Sequence, residues 1–323
     1  MNMNMKMKIL AATISAIGAV GSAQAGAVAQ SVLQVTNVRF LNAATGNQLA
    51  AGDFDTLQIV DTTNLNPTLT PGGANPYTNS AVGGAPLPLT VVCVPGVCPG
   101  GFVAPFANQG YPASFDGALA ASSLDGAPIS GLPGFPAGPT TGANARTDSR
   151  AERITSGTGN TTSALTLAST FSLTNDTSVI FDFDALLHLM ADADSLLNAT
   201  AGSGWSIAIT DRGTGTEVFQ WTPNGQAGGI SGGTEQADGC NLTRSITAFG
   251  PGGHTDFDCA PGSHFRATTG LLLASNTYDL SISHQNQANV IVQAVPEPGS
   301  LVLAGLALAG LGVSSRRKLK SKE

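Results

Sequence analysis

The chain has 323 residues, of which 42% are hydrophobic, 6% aromatic and only 11% charged. Residues 26–295 contain no lysine, and seven arginines stand against nineteen aspartates and glutamates, a net charge of −12. Such an acidic surface argues against binding to nucleic acid or anionic lipid, because proteins hold both through basic contacts that release counterions.

The N-terminus has the layout of a secretory signal peptide. Two lysines precede an apolar stretch at residues 9–20, and an Ala-Gln-Ala segment of small residues follows. This order predicts a signal peptide at residues 1–25, with cleavage between Ala25 and Gly26. Residues 26–294 are then expected to form an exported domain.

Alternating apolar and polar residues predict that the exported domain is all-β. Trp205, Ile207 and Ile209 alternate with small or polar residues, and the Asp-Arg-Gly-Thr-Gly segment that follows has the composition of a hairpin turn. Similar runs recur from residue 161 onward, and earlier strands are expected between residues 28 and 60. This spacing predicts an antiparallel β-sandwich or a jelly-roll-like body.

One segment admits two interpretations. Residues 185–197 place Leu186, Met190 and Leu197 on one face of a helix, but they also continue the parity of the preceding strand. We favour the extended strand.

Residues 61–150 differ in composition from the rest of the domain. Thirteen of the 18 prolines lie between Pro67 and Pro139, together with thirteen glycines. Proline removes ladder donors and glycine weakens strands, so this stretch is predicted to be a long irregular insertion.

The domain contains four cysteines, which allow three pairings. The local pairing is favoured, because each pair brackets a loop rich in glycine and proline, and an exported domain meets an oxidising environment. Free thiols and a zinc site that includes His254 and His264 are the alternatives. The predicted disulfide cysteines are Cys93 with Cys98 and Cys240 with Cys259.

Several carboxylates occur two residues apart. On a strand, such pairs point to the same face and could offer a hard cation two ligands. None continues into a calcium-binding loop, and a solvated strand face is the simpler interpretation, so no cofactor is predicted and calcium remains an alternative. The candidates for calcium are Asp182 with Asp184 and Asp192 with Asp194.

The large aromatic residues suggest a second function. Trp205, Trp221, Tyr111 and Tyr278 could stack on sugar rings and bind extracellular polysaccharide, although strand alternation favours a core position for both tryptophans.

No constellation of residues predicts catalysis. Gly-Ile-Ser-Gly-Gly around Ser231 matches the nucleophile-elbow pattern but lies in a glycine-rich loop, where that motif lacks its strand and helix. The four histidines, expected to form surface hydrogen bonds, are scattered along the sequence: His188, His254, His264 and His284. A secreted hydrolase therefore ranks below a non-enzymatic protein.

The C-terminal tail, residues 295–323, has the composition of a membrane anchor. Two prolines precede a thirteen-residue apolar run, about 20 Å long as a helix. With its flanking glycine and serines the run reaches seventeen residues, near the lower limit for crossing a bilayer. A membrane helix is therefore predicted at about residues 299–315, and its leucines are Leu301, Leu303, Leu306, Leu308 and Leu311. The basic cluster that follows, which the positive-inside rule places in the cytoplasm, begins with Arg316, Arg317 and Lys318.

The tail combines Pro296-Glu297-Pro298, a Leu/Ala/Gly run and an Arg-rich terminus, in this order. It resembles the PEP-CTERM sorting signal of bacterial exosortase substrates. The resemblance implies a transient membrane anchor that an exosortase-type transpeptidase processes near the Pro-Glu-Pro motif, followed by release or attachment at the cell surface. The sequence thus predicts an exported surface or matrix protein with a structural or interaction role.

Overall fold

The computed structural model describes residues 26–96, 98, 116–132, 141–194, 197–226, 228–236, 238–250, 252–259 and 262–293. They form one compact unit, Gly26–Val292. The strands, in chain order, are β1 (Ala27–Asn42), β2 (Phe54–Thr70), β3 (Gly73–Ala74), β4 (Tyr77–Val82), β5 (Leu87–Val94), β6 (Gly117–Asp125), β7 (Ala143–Arg153), β8 (Gly157–Leu173), β9 (Val179–Ala193), β10 (Asn198–Asp211), β11 (Thr216–Trp221), β12 (Ile230–Ser231), β13 (Gly233–Glu235), β14 (Arg244–Phe249), β15 (Gly253–Asp258), β16 (Ser263–Thr269) and β17 (Tyr278–Val292).

These strands form two sheets. Sheet I has the order β13-β16-β9-β1-β7-β6-β5, and β15 also pairs with β9. Sheet II has the order β12-β11-β10-β17-β8-β2-β3, with β14 paired to β10 and β4 paired to β2. The long central strands pair antiparallel. The prediction of an all-β, antiparallel body is confirmed.

Aromatic side chains fill one part of the space between the sheets. The Phe183 ring on β9 lies 4.4 Å from the Trp205 ring on β10 and 5.2 Å from the Phe265 ring on β16. Trp221 on β11 completes the cluster, 5.5 Å from Trp205. Full burial of one such side chain stabilises the fold by about 1.5–3 kcal/mol. This cluster is therefore a principal part of the apolar core.

Elsewhere, hydrogen bonds join the two sheets directly. Asn286 Nδ2 on β17 donates to the Ser31 carbonyl on β1 at 3.2 Å and to the Thr147 carbonyl on β7 at 2.5 Å. Ser31 Oγ donates in turn to the Gly202 carbonyl at 2.7 Å. Cα atoms of β1 and β17 approach within 8 Å, closer than the ~10 Å usual between packed sheets. Only short side chains fit in so narrow a space.

The prediction that residues 61–150 form an irregular insertion is wrong for the described part of that segment. Four complete strands, β3 to β6, and most of β7 lie within it, and β2 runs through Pro67. The Pro67 carbonyl accepts from the Asn75 amide, away from β8. The N and C=O of a strand residue point to the same side of the strand. Proline has no N–H, and at Pro67 the missing N–H would point towards Asn75, so no hydrogen bond to β8 is lost.

The preceding strand continues into the segment at residues 185–197, for which the sequence allowed a helix or a strand. β9 runs through Ala193, and Leu187, Leu189 and Ala191 are fully buried on its inner face. The extended-strand interpretation is confirmed up to that residue. The turn predicted after Asp211 is also present, as a hairpin between β10 and β11.

Candidate functional site

The outward surface of sheet II is a broad, almost uncharged array of hydroxyl and amide groups, which we call the polar face. It consists of the even-numbered residues of β2 from Gln58 to Thr70, of β8 from Thr158 to Ser172 and of β10 from Asn198 to Thr210, with the odd-numbered residues of β17 from Asp279 to Ile291. Among these positions only Asp279 is charged.

Strand register aligns the polar face into rows across the four strands. One row joins Thr62, Thr166, Ser283 and Ser206. Neighbours in a row are about 4.8 Å apart, and successive rows about 6.8 Å apart, because each row is two residues further along the strands. The polar groups are therefore evenly spaced in two dimensions.

A second row carries the one charged group. It contains Gln58, Thr170, Asp279 and Thr210. Thr170 Oγ1 donates to Asp279 Oδ1 at 2.6 Å. Asp279 also lies 4.0 Å from Arg212 in the β10–β11 turn, so its charge is partly offset.

A groove of about 300 Å³ crosses the polar face. Its lining combines this second row with the adjacent row of short side chains, Val60, Ala168, Ser281 and Ala208. The groove thus offers apolar carbon surface beside hydrogen-bonding groups.

The outward surface of sheet I is different, because it carries paired charges. Asp182 lies 2.6 Å from Arg39 and 3.6 Å from Arg266. Asp184 accepts from Asn37 Nδ2 at 2.8 Å and lies 3.1 Å from His264 Nδ1. These two carboxylates, the first candidate pair for calcium, thus face cationic and amide partners of the protein.

The second predicted calcium pair does not come together on a strand. Asp192 is on β9, 3.9 Å from His254, whereas Asp194 follows the end of β9, where its backbone amide donates to Gly26. Within the described ranges, no group of three or more His, Cys, Asp or Glu side chains is placed to hold a metal ion.

The cysteines form the local disulfides, Cys93 with Cys98 and Cys240 with Cys259. Cys93 packs against Leu119 on β6. All four cysteines are described and none is a free thiol, so the alternative zinc site has no thiolate ligand.

Three of the four aromatic residues considered for sugar stacking are not on the surface. Trp205, Trp221 and Tyr278 are at most 3% exposed, and Tyr111 lies outside the described residues. The stacking hypothesis is therefore wrong for the first three. Trp205 shares the inward parity of Ile207 and Ile209, so the same alternation that predicted the strand also buries the indole.

The residues considered for catalysis are dispersed. Ser231 is exposed on the edge strand β12, and no α-helix follows it in the part of the chain that the structure describes. His188 lies 2.6 Å from Asp258 on sheet I. His284, expected at the surface, is instead buried and lies 3.0 Å from the Leu33 carbonyl through Nε2.

Both terminal signals lie outside the described residues, except Gly26, which directly precedes β1. The structure therefore does not describe Ala25, the Pro-Glu-Pro motif, the apolar run or the basic cluster. No helix in the described ranges is long and apolar enough to span a membrane.

Comparison with known proteins supports the interpretation of the tail. Residues 294–318 match the family model of the PEP-CTERM protein-sorting motif. No curated protein and no solved structure matches the chain. The motif implies an exported, surface-targeted protein that is a substrate of an exosortase.

Proposed function

We propose that the exported domain is a non-enzymatic matrix protein that binds neutral polysaccharide through the polar face of sheet II. The observation that supports this most directly is the polar face itself, four paired strands that present hydroxyls and amides with a single carboxylate.

The chemistry of the polar face suits a sugar polymer. Serine and threonine hydroxyls both donate and accept hydrogen bonds, and so do asparagine and glutamine amides, which matches the hydroxyl groups of a glycan. Water can bridge the contacts that do not meet directly. The face itself carries no cation for an anionic glycan, and Arg212 beside it is offset by Asp279, so a neutral glycan is the better fit.

The groove gives this surface a preferred position for the ligand. The row of Val60, Ala168 and Ala208 offers apolar surface to the C–H groups of a sugar ring, and Gln58 and Thr210 stand beside it as hydrogen-bonding groups. The tail supports an extracellular location, since the sorting motif implies that the domain is exported.

Affinity electrophoresis in gels that contain neutral or anionic polysaccharides tests the proposal. We expect retardation by a neutral glucan such as dextran or soluble hydroxyethyl cellulose, and little by alginate. Ala208→Arg places a bulky charge in the groove and should weaken binding about tenfold or more, roughly 1.4 kcal/mol.

Leu271→Arg is the matched control, because Leu271 is 63% exposed and lies outside the polar face. It should bind like the parent protein. Equal retardation of both variants, or mobility unchanged in every neutral gel, would contradict the proposal.

A further inference from the structure

A small cavity lies between the sheets where β1 ends and β2 begins. It has a volume of about 40 Å³, and its walls are mainly apolar, with Phe40, Leu57, Ile59 and Phe171 among them. One water molecule needs about 10–15 Å³ of such space, so the cavity accommodates three or four small groups.

Asp61 on β2 points into this cavity. It is 1% exposed, and its Oδ1 atom has no hydrogen-bond partner among the described residues. Ser169 Oγ, in the same lining, is also buried and has no hydrogen-bond partner within the described ranges. Burial raises the pKa of the Asp61 carboxyl to about 7. Since buried carboxylates are ordinarily paired, this one has the character of a binding group rather than of a structural ion pair.

Among the described residues, no cationic side chain lines the cavity beside Asp61. Leu124 on β6 and Leu167 on β8 line the cavity with Ser169, and Asp61 is the only titratable side chain among its described lining residues. The next inward residue on β2, Thr63, shares a hydrogen bond with Ser122. The missing counter-charge can therefore come from a ligand.

We propose that the cavity binds a small primary ammonium ion with a short alkyl chain. Its nitrogen would form an ion pair with Asp61, and its carbons would fill the apolar space, which matches the volume of a three-carbon amine. The Ser169 hydroxyl is available as an acceptor for a second N–H. This site is separate from the polar face, which lies on the outward side of sheet II.

The test uses n-propylamine and the neutral 1-propanol, with binding to the purified full chain measured by calorimetry or ligand-observed NMR at pH 6 and pH 8. The amine stays protonated at both values, whereas Asp61 ionises between them, so propylamine should bind about tenfold more tightly at pH 8. Propanol affinity should be the same at both values.

Asp61→Asn should weaken propylamine binding to the level of propanol or below it, because an ammonium ion without a counter-charge is costly to bury, and should remove its pH dependence. Asp55→Asn is the matched control, because Asp55 precedes Asp61 on the same strand, is exposed and does not line the cavity. It should bind like the parent protein. Should Asp61→Asn fail to fold, the comparison of amine with alcohol in the parent protein still decides the question. The proposal is overturned if the two ligands bind equally at both pH values, if neither binds, or if Asp61→Asn keeps the pH dependence.

Discussion

Asn286 is the residue through which β17 reaches two strands of the opposite sheet. Its side-chain amide donates hydrogen bonds to two backbone carbonyls of sheet I, and its own backbone carbonyl accepts one from Ser149 Oγ at 3.1 Å. Because these groups are buried between the sheets, removing the side chain takes away two hydrogen bonds that join the sheets.

Asn286→Ala should lower the free energy of unfolding by about 1–3 kcal/mol. Urea denaturation followed by tryptophan fluorescence measures this change. Asn289→Ala, on the same strand but on the polar face, should change stability by no more than about 0.5 kcal/mol. A similar loss in both variants would argue against the inter-sheet role of Asn286.

His284 should make stability depend on pH. Burial lowers its pKa to about 4, from 6.5. Between these values the unfolded chain binds more protons than the native state. The stabilisation that comes from keeping His284 neutral is therefore complete above pH 6.5 and is lost as the pH falls towards 4. From pH 7.5 to 5.0 the loss is about 2 kcal/mol.

Asp61 has the opposite effect on stability. Because its pKa is raised, the native state binds more protons than the unfolded chain between pH 3.8 and about 7, so this group favours the native state as the pH falls. The contribution of His284 is therefore isolated by comparing the parent protein with His284→Gln in urea titrations across this range. The stability advantage of the parent should shrink as the pH falls. A difference that stays constant with pH would show that His284 is not held neutral.

At the scale of elements, the predicted membrane helix can be tested directly. Replacing both Leu306 and Leu308 with Asp should abolish membrane retention, because a charge at mid-helix costs about 2.5–3.5 kcal/mol on insertion scales. A thirteen-residue apolar run has little excess hydrophobicity to offset two charges. Membrane fractionation of cells measures the outcome.

The matched control replaces the same two leucines with alanine, which preserves an uncharged run and should leave much more protein in the membrane fraction. Glu297→Ala should leave insertion unchanged and impair only processing, if the Pro-Glu-Pro motif acts as in the family it resembles. Equal membrane association of the double-Asp variant and the parent would mean that the tail is not an anchor.

For the whole molecule, export and sorting predict a defined mature product. In a host with an exosortase, mass spectrometry of surface or secreted material should find an N-terminus at Gly26 and no peptide from Leu301 onward. Deletion of the exosortase should leave the tail attached and the protein in the membrane fraction. A full-length chain in the membrane of the competent host would contradict the processing step.

The sequence by itself determined the features that depend on local order. The motif at residues 294–318 is contiguous, so its parts could be recognised without a fold. Strand parity is likewise local, which is why β9 and the hairpin after Asp211 were predictable. The prediction for residues 61–150 was wrong because it rested on proline content alone. A proline destabilises a strand only where its missing N–H would have bonded to a neighbouring strand, and this depends on the pairing.

Only the tertiary structure decided which side of each strand meets solvent and which distant residues become neighbours. The polar half of the alternation in β8 was visible in the sequence. Only the pairing of β8 with β2 and β17, and of β17 with β10, aligns these residues into rows. The same pairing buries Trp205 and leaves Asp61 Oδ1, in an apolar cavity, without a hydrogen-bond partner among the described residues. Strand register joins residues more than a hundred positions apart, and it depends on which apolar faces are buried together, which no single segment determines.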